Sequence, residues 1–205
     1  MWVLLALPVI FLLAVGDQLP ARVPIHWNVR GEADGYGSPF MLVLLNVGLY
    51  LLLLLVPKID PRKRNYALFQ ESYYKLRIIL AVFVTLLTGT ILLNGLGYAI
   101  DVARVVGLSV LLLLAFIGNY LTTIRPNWFV GIRTPWTLSN DTVWKRTHQL
   151  VGKLWFFGGL AGFLLGLFLH TEFLLFLVLG LALVLGLGSV IISFVIYKKH
   201  VPNHE

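Results

Sequence analysis

Six apolar segments alternate with polar ones along this chain of 205 residues. Most of them reach or approach the roughly 20 residues that a helix needs to cross the hydrocarbon core of a bilayer. Because backbone N–H and C=O groups in lipid must be hydrogen-bonded within the protein, helices are the expected form. The pattern predicts an all-α, polytopic membrane protein with six transmembrane helices, at about residues 2–16, 40–57, 76–97, 105–123, 150–169 and 173–197.

Composition agrees with a membrane protein, since 59% of the residues are hydrophobic and the mean hydropathy is +0.87, far above soluble domains. The first segment is the shortest and contains Pro8. Its end, Ala14-Val15-Gly16, loosely resembles a signal-peptidase site. No basic region precedes this segment, so we expect it to stay as a helix.

The positions of Lys and Arg predict the orientation. Twelve of these residues follow the second and fourth apolar segments or lie in the C-terminal tail, whereas three lie in the other connections. By the positive-inside rule, both termini are expected in the cytoplasm. The net charge of +7 thus reflects topology and does not argue for nucleic-acid binding. The absence of Cys excludes disulfides and thiolate metal sites.

Two long polar loops separate the apolar segments. The 17–39 loop, expected outside the cell, is rich in Gly and Pro, which predicts tight turns instead of a helix. The 125–148 loop, expected in the cytoplasm, contains three Trp and four cations. Each half of the chain reads helix, long loop, helix, helix, so a 3+3 inverted repeat is a further hypothesis. We divide the chain into an N-terminal module (1–57), a linker (58–75) and a C-terminal module (76–205).

The linker contains an amphipathic helix start. Asp60 is predicted to cap this helix and Pro61 to be its first residue. Aromatic and apolar residues then recur at helical spacing on one face: Tyr66, Phe69, Tyr73 and Leu76. We expect this face to lie against the membrane interface or against the other loops.

The fifth helix is predicted to begin within the 125–148 loop. Ser139 is the expected N-cap, and Asp141 suits the first turn. One face of this helix then carries Trp144, His148, Val151 and Trp155. Deeper in lipid, small residues at every fourth position favour close helix contact within the chain over a dimer interface: Gly158, Gly162 and Gly166.

Arg125 and Arg133 flank Trp128 and Phe129 in the 125–148 loop. Two guanidinium groups close to a helix N-terminus could bind an anion, such as a lipid phosphate, a carboxylate or an acidic protein surface. The alternative is that these Arg and Trp residues only fix the loop at the membrane interface. His148 is expected to be a hydrogen-bonded structural residue.

The 17–39 loop offers His26 and Asp34, which are two groups where a closed zinc site needs three or four ligands. We expect turn architecture there, no metal and no cofactor. The chain contains no recognisable nucleophile, P-loop or metalloprotease motif, which disfavours an enzyme. Asn46, Asn94 and Asn119 within the helices are expected to form hydrogen bonds between helices. If they lined a cavity instead, a small transporter or a lipid- or anion-binding protein with a site between inverted halves would be the alternative.

The loop sequences resemble a known family. The run Arg125-Pro-Asn-Trp-Phe-Val-Gly-Ile-Arg-Thr-Pro-Trp-Thr-Leu-Ser-Asn, followed by Val143-Trp144 and Thr147-His148, is similar to the signature of the bacterial SdpI family. Pro24-Ile-His-Trp-Asn, with Asp34-Gly35-Tyr36-Gly37, resembles the extracytoplasmic module of that family. Asp60-Pro-Arg with Asn65-Tyr66 also fits. The likeness covers nearly the whole chain, although Gly37-Ser38-Pro39 stands where relatives often have a Lys.

This resemblance implies an immunity protein against a secreted, membrane-active peptide toxin. It also implies signalling, in which the cytoplasmic face captures a small soluble repressor of the winged-helix type. The candidate ligand-binding residues outside the cell are His26, Trp27, Asn28, Asp34 and Tyr36. The candidate partner- or anion-binding residues in the cytoplasm are Arg125, Asn127, Trp128, Arg133, Thr134, Trp136, Trp144 and His148.

Overall fold

The structure, a computed structural model, describes residues 2–200. Its elements follow the apolar pattern closely. The helices are α1 (Trp2–Val15), α2 (Pro39–Ile59), α3 (Gln70–Gly95), α4 (Val102–Leu121), α5 (Pro135–Ser139), α6 (Asp141–Gly166) and α7 (Thr171–His200). Two strands, β1 (Val23–Trp27) and β2 (Ala33–Gly37), lie between α1 and α2, and a 3-10 segment, Lys63–Phe69, leads into α3.

Within residues 2–200, five helices are long and apolar enough to cross a membrane: α2, α3 with its preceding 3-10 segment, α4, α6 and α7. The protein is therefore a multi-pass membrane protein. The first apolar segment forms a helix, but α1 has only 14 residues and is about 21 Å long, against a hydrocarbon core of about 30 Å. The sixth span is thus not confirmed.

The closest helix packing joins α4 to α6, where glycines bring the two backbones into contact. A Cβ on Gly118 would lie 2.3 Å from the backbone N of Phe156, and one on Gly159 would lie 2.5 Å from the backbone N of Ala115. Neither contact leaves room for a side chain. Small residues therefore fix the distance between these two helices, as in other membrane bundles.

The predicted stripe of Gly158, Gly162 and Gly166 also contacts other helices of the same chain. Gly158 lies next to the side chains of Leu181 and Leu185 of α7, and Gly162 lies next to those of Leu181 and Leu111. Gly166 meets Leu174 and Leu108. The expected packing within the chain is confirmed.

The 17–39 loop contains an antiparallel β-hairpin, which the all-α prediction did not include. β1 pairs with β2 from Val23↔Gly37 to Trp27↔Ala33, with irregular register around His26. At the turn, the side-chain oxygen of Asn28 accepts hydrogen bonds from the backbone N–H groups of Arg30 and Glu32, and Gly31 has a φ of 80°. The predicted tight turn is present, and it connects the two strands of the hairpin.

Two of the predicted helix caps were wrong. The side chain of Asn140, and not Ser139, accepts hydrogen bonds from the first turn of α6, because Ser139 is already the last residue of α5. Asp60 ends α2 and precedes a 3-10 segment that begins at Lys63, so Pro61 is not a first helical residue.

The helix asparagines behave differently from one another. Asn46 of α2 donates to the hydroxyl of Thr88 of α3 at 3.3 Å, as predicted. Asn94 instead donates to backbone carbonyls of the loop after α3, and Asn119 is exposed on α4. The three side chains do not converge on one cavity, so the geometry gives no support to a transporter site built from them. The inverted repeat stays a hypothesis.

The α4–α6 contact should dominate the stability of the bundle. We expect Gly118→Ala to lower the free energy of unfolding by about 3 kcal/mol, because the added methyl group would overlap the backbone of α6. The matched control is Gly186→Ala in α7, where a Cβ meets no atom within 4 Å. Thermal unfolding in detergent measures both variants, and equal midpoints would contradict the packing argument.

Candidate functional site

The 125–148 loop folds against the 60–77 segment at one end of the bundle. A buried cluster joins the end of α2, the start of α3, the end of α4 and the start of α6, and it includes Val56, Tyr66, Phe69, Tyr73, Leu76, Leu121, Ile124, Trp144 and Val151. The predicted aromatic face of the linker is therefore confirmed as buried. Tyr66 and Tyr73 meet edge to face at 5.1 Å between ring centroids.

Asp60 lies at the centre of this arrangement and is 2% exposed. Its Oδ1 accepts a hydrogen bond from the backbone N–H of Arg62 at 2.6 Å. Its Oδ2 accepts from the hydroxyl of Tyr66 at 3.0 Å and from the backbone N–H of Trp128 at 2.9 Å. A buried carboxyl group is tolerated when such donors surround it, and here the donors connect the end of α2, the 3-10 segment before α3 and the 125–148 loop.

Asn127 holds the loop from within and is fully buried. Its side-chain oxygen accepts hydrogen bonds from the backbone N–H groups of Phe129 and Val130 at 2.9 and 2.7 Å. Its amide group donates to the carbonyls of Arg125 and Val130. The side chain therefore replaces the backbone pairing that an irregular segment lacks.

Two side chains before α3 also bind the loop. Asn65 donates to the carbonyl of Pro126 at 2.7 Å. Arg62 donates to the carbonyl of Leu138 at 2.8 Å and lies 3.9 Å from the carboxylate of Asp141. The 60–66 segment thus contacts both the beginning and the end of the loop.

His148 is a structural residue, as expected. It is 1% exposed and stacks on Trp144 at 4.2 Å between ring centroids. Its Nε2 accepts the backbone N–H of Ile132 at 2.9 Å, and its Nδ1 lies 2.8 Å from the carbonyl of Trp144. This pairing requires the neutral tautomer with the proton on Nδ1. Gly131 lies over the ring with a φ of 113°, where a Cβ would be 2.4 Å from Nε2.

The second half of the loop is held against α7. Thr134 caps α5 in a reciprocal capping box with Thr137. Trp136 donates from Nε1 to the hydroxyl of Ser193 at 2.6 Å and packs against the ring of Phe194. The residues therefore fix the position of α5.

Four of the predicted partner-binding residues are consequently buried: Asn127, Thr134, Trp144 and His148. Trp136 is half-buried, whereas Arg125 and Arg133 are exposed. Trp128 is 46% exposed, and the neighbouring Phe129 is 40% exposed. Arg133 donates to the carbonyl of Trp128 at 2.8 Å, which keeps its guanidinium group beside this aromatic pair. We call Arg125, Trp128, Phe129 and Arg133 the exposed loop face.

The hairpin forms a second candidate site at the opposite end of α3. His26 and Asp34 are both exposed, and Nδ1 of His26 lies 2.5 Å from the carboxylate of Asp34. Tyr36 is 50% exposed. Trp27, in contrast, packs against the small cluster of Val23, Ile91 and Val102, and Asn28 shapes the turn. Across residues 2–200, no three His, Asp or Glu side chains are grouped closely enough to hold a metal ion.

Sequence reasoning missed the buried role of Asp60, and it gave Asn65 and Arg62 no contact with the loop. A signal was present, because Asp60-Pro-Arg and Asn65-Tyr66 are unusually polar for the end of an apolar helix. From the sequence alone, Asp60 is predicted as a helix cap, because the loop partners of Asp60 and Asn65 lie more than 60 positions away along the chain.

Replacing Asp60 tests the central network. Asp60→Asn keeps one acceptor oxygen but sets an amide group against donors, so we expect a loss of about 3 kcal/mol in the free energy of unfolding. Proteolysis within the 125–148 loop should also become faster. The control, Asp141→Asn, alters an 82% exposed side chain and should cost less than about 1 kcal/mol. An unchanged midpoint and digestion rate in Asp60→Asn would refute the network.

Comparison with known proteins agrees with the sequence motifs. A model described as the SdpI/YfhL protein family matches residues 123–197, and a model described as a domain of unknown function, DUF1648, matches residues 3–51. The "Immunity protein SdpI" of Bacillus subtilis (strain 168) is 28% identical over 187 residues, which cover 89% of this chain and 87% of that protein. No solved structure matches. The resemblance to the SdpI family that the loop motifs indicate is therefore confirmed, by the family match over the 125–148 loop and by the similarity along most of the chain.

Proposed function

We propose that this protein is a membrane immunity protein that neutralises a membrane-active peptide toxin and engages a soluble cytoplasmic partner. The observation that carries this proposal is the similarity to "Immunity protein SdpI" along 89% of the chain. The buried network of the 125–148 loop also supports this proposal, because many of its polar residues hold a small exposed face in a fixed position. A loop that only connects two helices would not need such a network.

The proposed orientation has both termini in the cytoplasm, as the distribution of Lys and Arg favours. The hairpin then faces outward and meets a secreted toxin first. Its exposed groups, His26, Asp34 and Tyr36, combine a carboxylate, an imidazole and a phenol ring within two paired strands. Trp27 and Asn28 support the hairpin from within, so we assign ligand contact to the other three.

The exposed loop face is the proposed contact for a cytoplasmic partner. Trp and Arg residues dominate the binding energy of many protein interfaces, and here Trp128, Phe129 and Arg133 are adjacent and partly exposed. Their backbone is held rigidly by Asp60 and Asn127, which lowers the entropy lost on binding. A small soluble repressor of the winged-helix type, with an acidic patch for the two Arg residues, is the partner that this face suits.

Protection should depend on the hairpin. In a Bacillus subtilis strain lacking its own SdpI, expression of this protein should restore survival and membrane potential under toxin challenge. Tyr36→Ala should reduce survival at least tenfold, on the order of the 1.4 kcal/mol carried by one good contact. Val29→Ala, which removes a 43% exposed side chain at the hairpin turn, is the control. If the unaltered protein gives no protection, the immunity proposal is wrong.

Partner recruitment should depend on the exposed loop face and not on the hairpin. We expect Arg133→Ala and Trp128→Ala to release a fluorescent repressor from the membrane into the cytosol, while protein level and toxin survival are retained. Arg64→Ala, an exposed cation at the same bundle end, is the matched control for charge. A repressor that stays at the membrane in both loop variants would show that it binds elsewhere.

A further inference from the structure

An apolar groove runs between α3 and α4 on the surface of the bundle. It has a volume of about 260 Å³ and is lined by the apolar side chains of Ile78, Val82, Leu86, Leu112 and Phe116, with Ser109 among them. Val82, Leu86 and Phe116 are each more than 40% exposed. In a membrane, a hydrocarbon chain of a lipid would fit into this groove.

A wider cleft lies at the loop end of the same helix pair. It has a volume of about 1200 Å³, and its polar lining includes Tyr73, Tyr74, Arg77, Thr122, Thr123 and Arg125. We call it the cationic cleft. Arg77 is adjacent in sequence to Ile78 of the groove, and its guanidinium carbon lies 5.8 and 5.7 Å from the ring centroids of Tyr73 and Tyr74. Tyr74 of the cleft and Ile78 of the groove are four residues apart on α3, so the cleft and the groove lie on the same face of this helix.

The charge balance of the cleft favours an anion. Glu71, which also lines it, forms an ion pair with Lys75 at 2.6 Å. The guanidinium groups of Arg77 and Arg125 carry several N–H donors that suit phosphate oxygens, whereas the hydroxyls of Thr122 and Thr123 already donate to the backbone carbonyls of Asn119 and Tyr120. Arg125 also lines an adjacent cleft with Lys145 and Arg146, which adds further positive charge.

The dimensions match one leaflet of a bilayer. From Arg77 to Leu86, α3 rises about 14 Å, and from Thr122 to Ser109, α4 extends about 20 Å. Half of the hydrocarbon core is about 15 Å thick. A headgroup in the cationic cleft would therefore place an acyl chain along the apolar groove down to about the bilayer midplane.

We propose that the cationic cleft and the apolar groove together form a binding site for one anionic phospholipid. The phosphate group would lie between Arg77 and Arg125, and one acyl chain would lie between α3 and α4. Since Arg125 also belongs to the exposed loop face, a bound lipid would hold this side chain on the membrane side of the loop. The site does not depend on the immunity or signalling proposals.

Native mass spectrometry of the detergent-solubilised protein, titrated with phosphatidylglycerol or phosphatidylcholine, tests the proposal. We expect preferential retention of one phosphatidylglycerol, with affinity lowered about tenfold in Arg125→Gln, because one charge-assisted contact is lost. The charge-matched control, Arg64→Gln, should bind as the unaltered protein does. Equal retention of the two lipids, or equal affinity in the two variants, would overturn the headgroup assignment.

A second pair of variants tests the acyl chain. Val82→Trp fills the groove and should lower lipid retention at least tenfold, whereas Leu183→Trp, on the 62% exposed surface of α7, should not. Unchanged retention in Val82→Trp would exclude the groove. In a competition arm, inorganic phosphate should fail to displace the lipid at equal concentration. Displacement by phosphate would show a simple anion site without a place for the chain, and would also overturn the proposal.

Discussion

The buried carboxyl group of Asp60 is the interaction on which the loop end of this protein depends. A carboxyl group at 2% exposure is stable only when hydrogen-bond donors are aimed at it. Its donors are the backbone N–H of Arg62, the hydroxyl of Tyr66 and the backbone N–H of Trp128. These bonds therefore fix the end of α2 and the following 3-10 segment against the distant 125–148 loop in one geometry. The aromatic cluster below it adds apolar burial, but the register between segments comes from these directional bonds.

The same logic explains the unusual composition of the 125–148 loop. Between α4 and α6 only α5 is regular, so most backbone groups of the loop need partners other than a helix or a sheet. Asn127, Thr137, Trp144 and His148 supply those partners through side-chain hydrogen bonds to the backbone. Polar residues that look like ligands in the sequence thus serve to hold the fold. Surface exposure separates them from Trp128, Phe129 and Arg133, which are free to contact another molecule.

The apolar pattern predicted the helices well because membrane helices are specified by length and hydropathy alone. The 3.6-residue spacing likewise placed Tyr66, Phe69 and Tyr73 on one buried face. Caps were predicted less well, because Ser139 and Asn140 are both good caps and only the end of α5 decides between them. The hairpin and the Asp60 network were missed for other reasons. In the hairpin, β2 is only Ala33–Gly37 and contains two Gly, so its strand pattern is weak. The Asp60 network pairs residues far apart along the chain, such as Asn65 with Pro126, so its polar residues are visible in the sequence but their partners are not.

Any conformational signal between the two ends of this protein has to pass through elements that can move. The backbones of α4 and α6 touch at Gly118 and Gly159, which leaves little freedom between those two helices. In contrast, α3 contacts β1 at one end, where Val23 packs against Gly95, and the Asp60 network at the other, through Tyr66 of the preceding 3-10 segment. If α3 can adopt two positions, a ligand that binds the hairpin more tightly in one of them would therefore shift the loop as well. Physical coupling, if the protein signals, is most directly carried by α3 moving against a fixed α4–α6 pair.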